Sequence, residues 1–291
     1  MHLSHRQGAL SFLHTLNAVD RAGLMAFSAR ASEPVPTGYS HWLCTDIPLG
    51  IISKQRAQWL SLHLAQCAMV ESHLVWDARA LTPSLRSQHL QNALLCGRDE
   101  GKLSGWRNEK YSFWNSEELV PQIAQESLFD VERAGFRFLG LLSHAVHING
   151  FLPDGRLWCA RRALRKATDP GMLDNITAGG LPSGESLSQC AQRELWEEAG
   201  ISDLDTQALQ PAGCVRTSRL EPQGWHDEVL HVFNLNLTEG FHPENQDGEV
   251  AEFMCLQPKE VLARMDAGEF TVDATQTLVQ GLRCAQQKNS R

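Results

Sequence analysis

A chain of 291 residues is long enough for one large domain or two ordinary ones, and with 42% hydrophobic and 21% charged residues it can bury a normal core. A formal charge of −8 excludes the broad basic field that gathers nucleic-acid backbones, so affinity for an anion must come from a local Arg/Lys cluster or a bound cation. The eight cysteines form no Cys-x-x-Cys clip, no secretory leader is visible, and no apolar run could span a bilayer. The expectation is a cytoplasmic protein with reduced, mostly buried thiols, no zinc, and no nucleic-acid or membrane partner.

In chain order, Leu10, Leu13, Leu16 and Asn17, with Phe12 and Val19 beside them, predict a first helix with one apolar side. Pro34 and Pro36 break the chain before an extended stretch at 39–43. Residues 55–64 read as a helix that packs through Trp59, Leu60, Leu62 and Leu64. A Gly-rich turn is expected over 97–105, ahead of Trp106-Arg107-Asn108-Glu109-Lys110-Tyr111. From about Ala134 strands take over, at 138–147 and 157–163 around a Pro153-Asp154-Gly155 turn and again at 229–237. Helices follow near 258–266 and 274–285. This pattern predicts an α/β protein: an α/β/α sandwich over 134–291, preceded by a smaller α+β domain over 1–133. No Ser- or Gly-rich linker separates the two, so they should pack together.

The segment that carries chemistry is a glycine-rich loop, a helix and a glycine stop. The loop is Gly179-Gly180-Leu181-Pro182-Ser183-Gly184-Glu185. Ser186 is suited to cap the helix and Gln189 to complete a capping box, while Gly200 suits the left-handed turn beyond the helix end. Leu187, Ala191, Leu195 and Ala199 form one buried stripe. Glu194, Glu197 and Glu198, at i, i+3 and i+4, repel one another unless a cation sits among them, and Mg2+ is the natural neutraliser. Arg193 can offer its fork to Glu185 or to one of these carboxylates.

These residues resemble the Nudix box. Gly179, Glu185, Arg193, Glu194, Leu195, Glu197, Glu198, Gly200 and Ile201 fill every defined position of Gly-x5-Glu-x7-Arg-Glu-U-x-Glu-Glu-x-Gly-U, where U is aliphatic. The resemblance implies a Nudix α/β/α sandwich with a mixed sheet, and a hydrolase that needs Mg2+, with Mn2+ as substitute. It implies metal ligands at Glu194, Glu197, Glu198 and the Gly179 carbonyl, with Arg193 and Glu185 bracing the loop against the helix. The proton acceptor stays open between Glu197, Glu249 of the Asp247-Gly248-Glu249-Val250 stretch, and Glu252.

A second resemblance extends beyond the box. Val146-His147-Ile148-Asn149-Gly150-Phe151, Ala160-Arg161-Arg162, Lys166, Asp169-Pro170-Gly171 and Leu173-Asp174-Asn175 lead into it, and Gly105 to Tyr111 precede them. The chain is similar to the branch related to the Nudix-like region of thiamine pyrophosphokinase fusions. That implies conversion of oxidised or damaged thiamine diphosphate to the monophosphate. The alternatives are a nucleotide-type pyrophosphohydrolase and a Nudix-fold ligand sensor without turnover. Both monomer and homodimer fit.

Arg161, Arg162, Arg165 and Lys166 form the densest basic cluster and are candidates for the substrate's phosphates. Strand alternation allows at most one of Arg161 and Arg162 to face the site directly. His147 and Asn149 share a face, as readers of a heterocycle or as a buried, mutually satisfied pair. Trp106 is a core aromatic or a stacking platform. Closure of the N-terminal domain over the site would make Trp106 and Arg107 substrate contacts.

Overall fold

The computed structural model describes residues 7–114, 126–166, 168–202 and 208–290. The expected first helix is two helices, α1 (Gln7–Thr15) and α2 (Ala18–Ala26). Asn17 caps the second by accepting a hydrogen bond from Asp20 N at 2.9 Å, which breaks the helical run and leaves Val19 in solvent. Strands β1 (Tyr39–Cys44) and β2 (Ile47–Ser53) lead to α3 (Lys54–His63). There Ala57, Trp59 and Leu60 are buried, while Leu62, expected to pack, faces solvent. Strands β3 (Cys67–Val70) and β4 (His73–Trp76) complete a four-stranded sheet of order β2-β1-β4-β3.

The turn expected over 97–105 starts late, because Thr82 and Pro83 open a long helix, α4 (Pro83–Asp99). Gly97 lies inside it, packed so closely on the Trp59 ring that a Cβ there would come within 3.1 Å of Cη2. After β5 (Lys110–Phe113) and β6 (Phe129–Glu132), the strand expected from Phe138 begins as a helix, α5 (Arg133–Leu139). Gly140, at φ 65°, ends that helix, and the strand proper is β7 (Ser143–Phe151).

The C-terminal half supplies β8 (Leu157–Arg162), β9 (Leu173–Asp174), β10 (Thr177–Gly180) and α6 (Leu187–Ala199). Then come β11 (Leu209–Glu221), β12 (Gly224–Asn236), β13 (Val250–Leu256), α7 (Pro258–Asp266) and α8 (Val272–Asn289). The sheet order is β11-β12-β7-β8-β13, with β10 on β7 and β9 on β8. Only β12 and β7 pair in parallel, so the sheet is mixed, as expected. Helix α6 covers one face through Cys190, Ala191, Leu195 and Ala199 against Val146, Ile148 and Phe233. The other face is covered by α7, α8 and the N-terminal helices, with Phe12, Leu24, Phe151, Leu256 and Leu278 in one core. This is the α/β/α sandwich.

Residues 42–142 share one core that Val229 of β12 also enters, whereas α1 and α2 belong to the core of the C-terminal half. The two halves touch closely, since a Cβ on Gly224 of β12 would overlap the Arg56 guanidinium of α3. All eight cysteines are free and four are buried. Among the described residues no helix is long and apolar enough to cross a membrane.

Candidate active site

Local sequence sets the rotational phase of α6. Ser186 accepts from Gln189 N while the Gln189 side chain accepts from Ser186 N, and Gly200 closes the other end at φ 71°. With the apolar stripe held against the sheet, Glu194 and Glu198 fall on the flank that meets β10, and both are buried. Ala178 N donates to Glu198 Oε2 at 2.9 Å. A Cβ on Gly179 would overlap the Glu194 carboxyl, so only glycine lets that carboxylate lie against the loop backbone. Arg193 donates to Glu185 at 3.0 Å, to Glu194 at 2.7 Å and to Glu197 at 3.0 Å, tying the loop to the helix.

A second loop docks on the end of α6. Gln246 N and Asp247 N both donate to the Glu197 carbonyl, at 2.9 and 3.2 Å, and Arg165 donates to the Asp247 carbonyl at 3.0 Å. Asp247 and Glu249 are thereby brought beside Glu198, with one oxygen of each within 4.8 Å of the others. Lys166 sits among them, 3.1 Å from Glu198 Oε1 and 2.7 Å from Glu249 Oε2. The convergence thus differs from three adjacent box carboxylates. Glu197 is half exposed and held by Arg193, and Asp247 and Glu249 stand nearer to Glu198.

The charges record this crowding. Burial, and then the charge of Glu198, push the Glu194 carboxyl up to about 8 against the pull of Arg193. Burial also raises Glu198, although the Lys166 ammonium draws it the other way. Burial opposes ionisation of Glu249 too, but Lys166 outweighs it and holds that carboxyl below the usual range. An all-oxygen donor set running from buried Glu194 and Glu198 to exposed Asp247, its repulsion only partly relieved, beside a glycine cradle that a Cβ would fill, fits a hard divalent cation. Glu194, Glu198, Asp247 and Glu249 are the residues placed to hold it.

Glu194, Asp247, Glu249, Lys166 and Arg193 line one cavity of about 550 Å³. Its other walls carry Arg107 and Tyr111 from the N-terminal half and Arg162, Glu228 and Asp273 from the C-terminal half. Away from the box, His226, Glu228 and Asp273 form a second group. Arg137 donates to His226 Nδ1 at 3.0 Å, which leaves the ring proton on Nε2, and Arg219 bridges both Asp273 oxygens at 2.8 and 3.0 Å. This end suits a hydrogen-bonding organic group rather than an ion.

A match to the family described as the NUDIX domain covers residues 144–275. Residues 144–275 form a NUDIX domain. The chain is similar to Nudix hydrolase 20, chloroplastic, of Arabidopsis thaliana, with 33% identity over 195 residues, 66% of this chain and 50% of that protein. Nudix hydrolase 24, chloroplastic, of the same plant is 32% identical over 192 residues, 65% of this chain and 51% of its own length. The chain therefore spans about half the length of these curated relatives. A solved structure from Deinococcus radiodurans is 23% identical, covering 60% of this chain and 99% of that one at a TM-score of 0.46.

Within the NUDIX domain the expected substrate residues separate. Arg162 faces the cavity, donating to Asp174 at 2.7 Å, whereas Arg161 turns outward to Glu252 and the Gly171 carbonyl. Strand alternation divides the pair in this way. Arg161 and Glu252 thus drop out as site residues. His147 lines the cavity, with Nδ1 donating to Asn175 Oδ1 at 2.8 Å. Asn149 does not reach it: fully buried, it accepts from Asn175 at 2.7 Å and donates to Asn234 and to the Thr277 carbonyl. It is a structural crosslink between β7, β12 and α8. Trp106 packs against the N-terminal core beneath Arg98, so it is no stacking platform, whereas Arg107 does line the cavity. Asp247, quoted in the sequence without a role, Tyr111 and Glu228 were missed. Tyr111, at the end of the Gly105 to Tyr111 signature, and Asp247, in the Asp247-Gly248-Glu249-Val250 stretch, carried a signal, and Glu228 carried none.

Proposed function

We propose that this chain is a Mg2+-dependent hydrolase, with Mn2+ as substitute, that cleaves the phosphoanhydride of a small organic diphosphate. One observation carries the reading: buried Glu198 converges with Asp247 and Glu249, and Asp247, Glu249 and buried Glu194 line a cavity whose wall also presents Arg162 and Lys166. A bound magnesium supplies charge screening for the diphosphate and makes an attacking water more acidic. The chain's own groups do the rest. Arg162, held by Asp174 and the Thr168 carbonyl, offers a fixed cation for a phosphate oxygen. Lys166, which stays beside Glu198 and Glu249, adds a second positive charge on the cavity wall for the phosphate. Glu249, kept ionised by its neighbours, accepts the water's proton on a carboxylate oxygen.

The finer reading is oxidised or damaged thiamine diphosphate as substrate and the monophosphate as product. It is supported by the extended sequence resemblance and by Arg107 and Tyr111, from the signature segment, lying on the cavity wall. Glu228 and His226 at the far end suit a ring that carries N–H donors and an acceptor. The partner is then a small-molecule diphosphate, handled by a cytoplasmic monomer or homodimer. A sensor role without turnover is disfavoured, because every box carboxylate is retained.

The test is phosphate release from intact and oxidised thiamine diphosphates beside common nucleotides, with and without magnesium. The expected result is magnesium-dependent formation of inorganic phosphate and a monophosphate, with calcium a poor substitute. Absence of metal-dependent hydrolysis across the panel removes the reading.

A further inference from the structure

The cavity's cations are not equivalent. Arg193 is tied to Glu185, Glu194 and Glu197, Arg162 to Asp174, Lys166 to Glu198 and Glu249, and Arg133 to Glu109. Arg137 is engaged by Thr168 and His226. Among the described residues the Arg107 side chain has no hydrogen bond or ion pair, although it lines the same cavity.

Its backbone, by contrast, is anchored. Arg107 N donates to the buried Glu132 carboxylate at 2.9 Å. On one side Trp106 lies under the Arg98 guanidinium, 4.8 Å from the ring centroid, and donates from Nε1 to Asn108 Oδ1 at 2.9 Å. Gly105 and Asn108 take left-handed φ values of 77° and 59°, so the chain turns sharply on both sides of the Trp106-Arg107 pair. Asn108 carries that conformation with a side chain, which its bond to Trp106 offsets. The turn lays a partly buried Trp106 against the N-terminal core and leaves Arg107 on the cavity wall. Arg107 is also one of the positive charges felt by Glu249, which places it on the catalytic side of the cavity.

We infer that Arg107 is a phosphate-binding residue which the N-terminal half contributes to the NUDIX site, its unpaired guanidinium fork taking oxygens of the substrate's diphosphate. This rests on the diphosphate reading above. An arginine without a carboxylate partner does not have to break an ion pair before it binds an anion, and its fork matches phosphate oxygens two at a time. The N-terminal half is then part of the substrate site and not only a neighbour of it.

Binding of methylenediphosphonate, a diphosphate with an uncleavable bridge, tests this by calorimetry in magnesium. Arg107→Gln should weaken the Kd about 10- to 100-fold, as expected for lost charge-assisted hydrogen bonds. Arg107→Lys should recover part of it, because the charge returns without the fork. Arg79→Gln, which removes an equal charge from a distant exposed pair with Asp77, should leave the Kd unchanged. The melting temperature of Arg107→Gln should match the wild type, since the side chain holds nothing in the fold. A Kd within twofold of wild type in Arg107→Gln overturns the inference while leaving the hydrolase standing. A wild-type protein that neither binds the probe nor hydrolyses any diphosphate overturns both.

Discussion

The phenol oxygen of Tyr111 occupies the space that a side chain on Gly180 would need. The N-terminal half is therefore keyed into the box loop at van der Waals contact, and Tyr111 is buried there with its ring edge-on to Phe136. Gly180→Ala forces the ring or the loop to move. It should destabilise the protein by about 1–3 kcal/mol, as overpacking of a filled site does. The urea midpoint measures this, with Gly240→Ala, which meets nothing within 4 Å, as the silent control. An unchanged midpoint in Gly180→Ala would show that the two halves are not interlocked there.

Glu198→Gln removes a buried charge but fills the same volume. Turnover should fall about 100-fold or more, while the melting temperature of the metal-free protein stays within about 3 °C of wild type. Steady-state kinetics beside a thermal melt separates the two effects. A near-normal rate contradicts the place given to Glu198 in holding the metal.

The raised carboxyl of Glu194 sets a direction for pH. Unfolded, it ionises near 4.5; folded, near 8. Between those values the unfolded chain is the more ionised, so the stability this group supplies is complete below the lower value and lost as pH rises through the upper one. Glu198, also raised, adds to the same trend. Buried His144 and His231, both held low by burial, act in the opposite sense up to their ordinary 6.5, so the metal-free protein should melt at progressively lower temperature from about pH 6.5 to pH 8. Glu194→Gln should make that slope shallower. A slope equally steep in the variant would mean that other groups cause it.

Asn149→Ala should destabilise by about 2–4 kcal/mol, because it leaves the buried Asn175 Nδ2 and Asn234 Oδ1 without the bonds that Asn149 supplies. The KM, measured well below the melting temperature, should not change. A raised KM with intact stability would return Asn149 to the substrate site.

What could be read from the chain was local. The capping box at Ser186, the stop at Gly200 and the stripe through Ala191, Leu195 and Ala199 all lie within one helix, and together they place Glu194 and Glu198 on the correct flank. Alternation likewise separated Arg161 from Arg162. Asp247 was not legible as a site residue because backbone bonds to the Glu197 carbonyl bring it there, across about 50 residues of chain. Asn149 was misassigned because its partners lie on β12 and α8, which strand periodicity cannot relate to β7. The break at Asn17 and the helical start at Arg133 both turned on single capping residues inside apolar runs.

The pairing of the first helices with the last has a consequence for how the chain comes together during synthesis. Gln276 donates to the Phe27 carbonyl and Arg283 to the Met25 carbonyl, contacts 249 and 258 residues apart. Helices α1 and α2 leave the ribosome early, yet the surface they cover does not exist until α8 has emerged. Through that interval Phe12, Leu13 and Leu24 have no native partner on α8, so closure of this core must be a late, slow event, and the nascent chain is most exposed to aggregation before it.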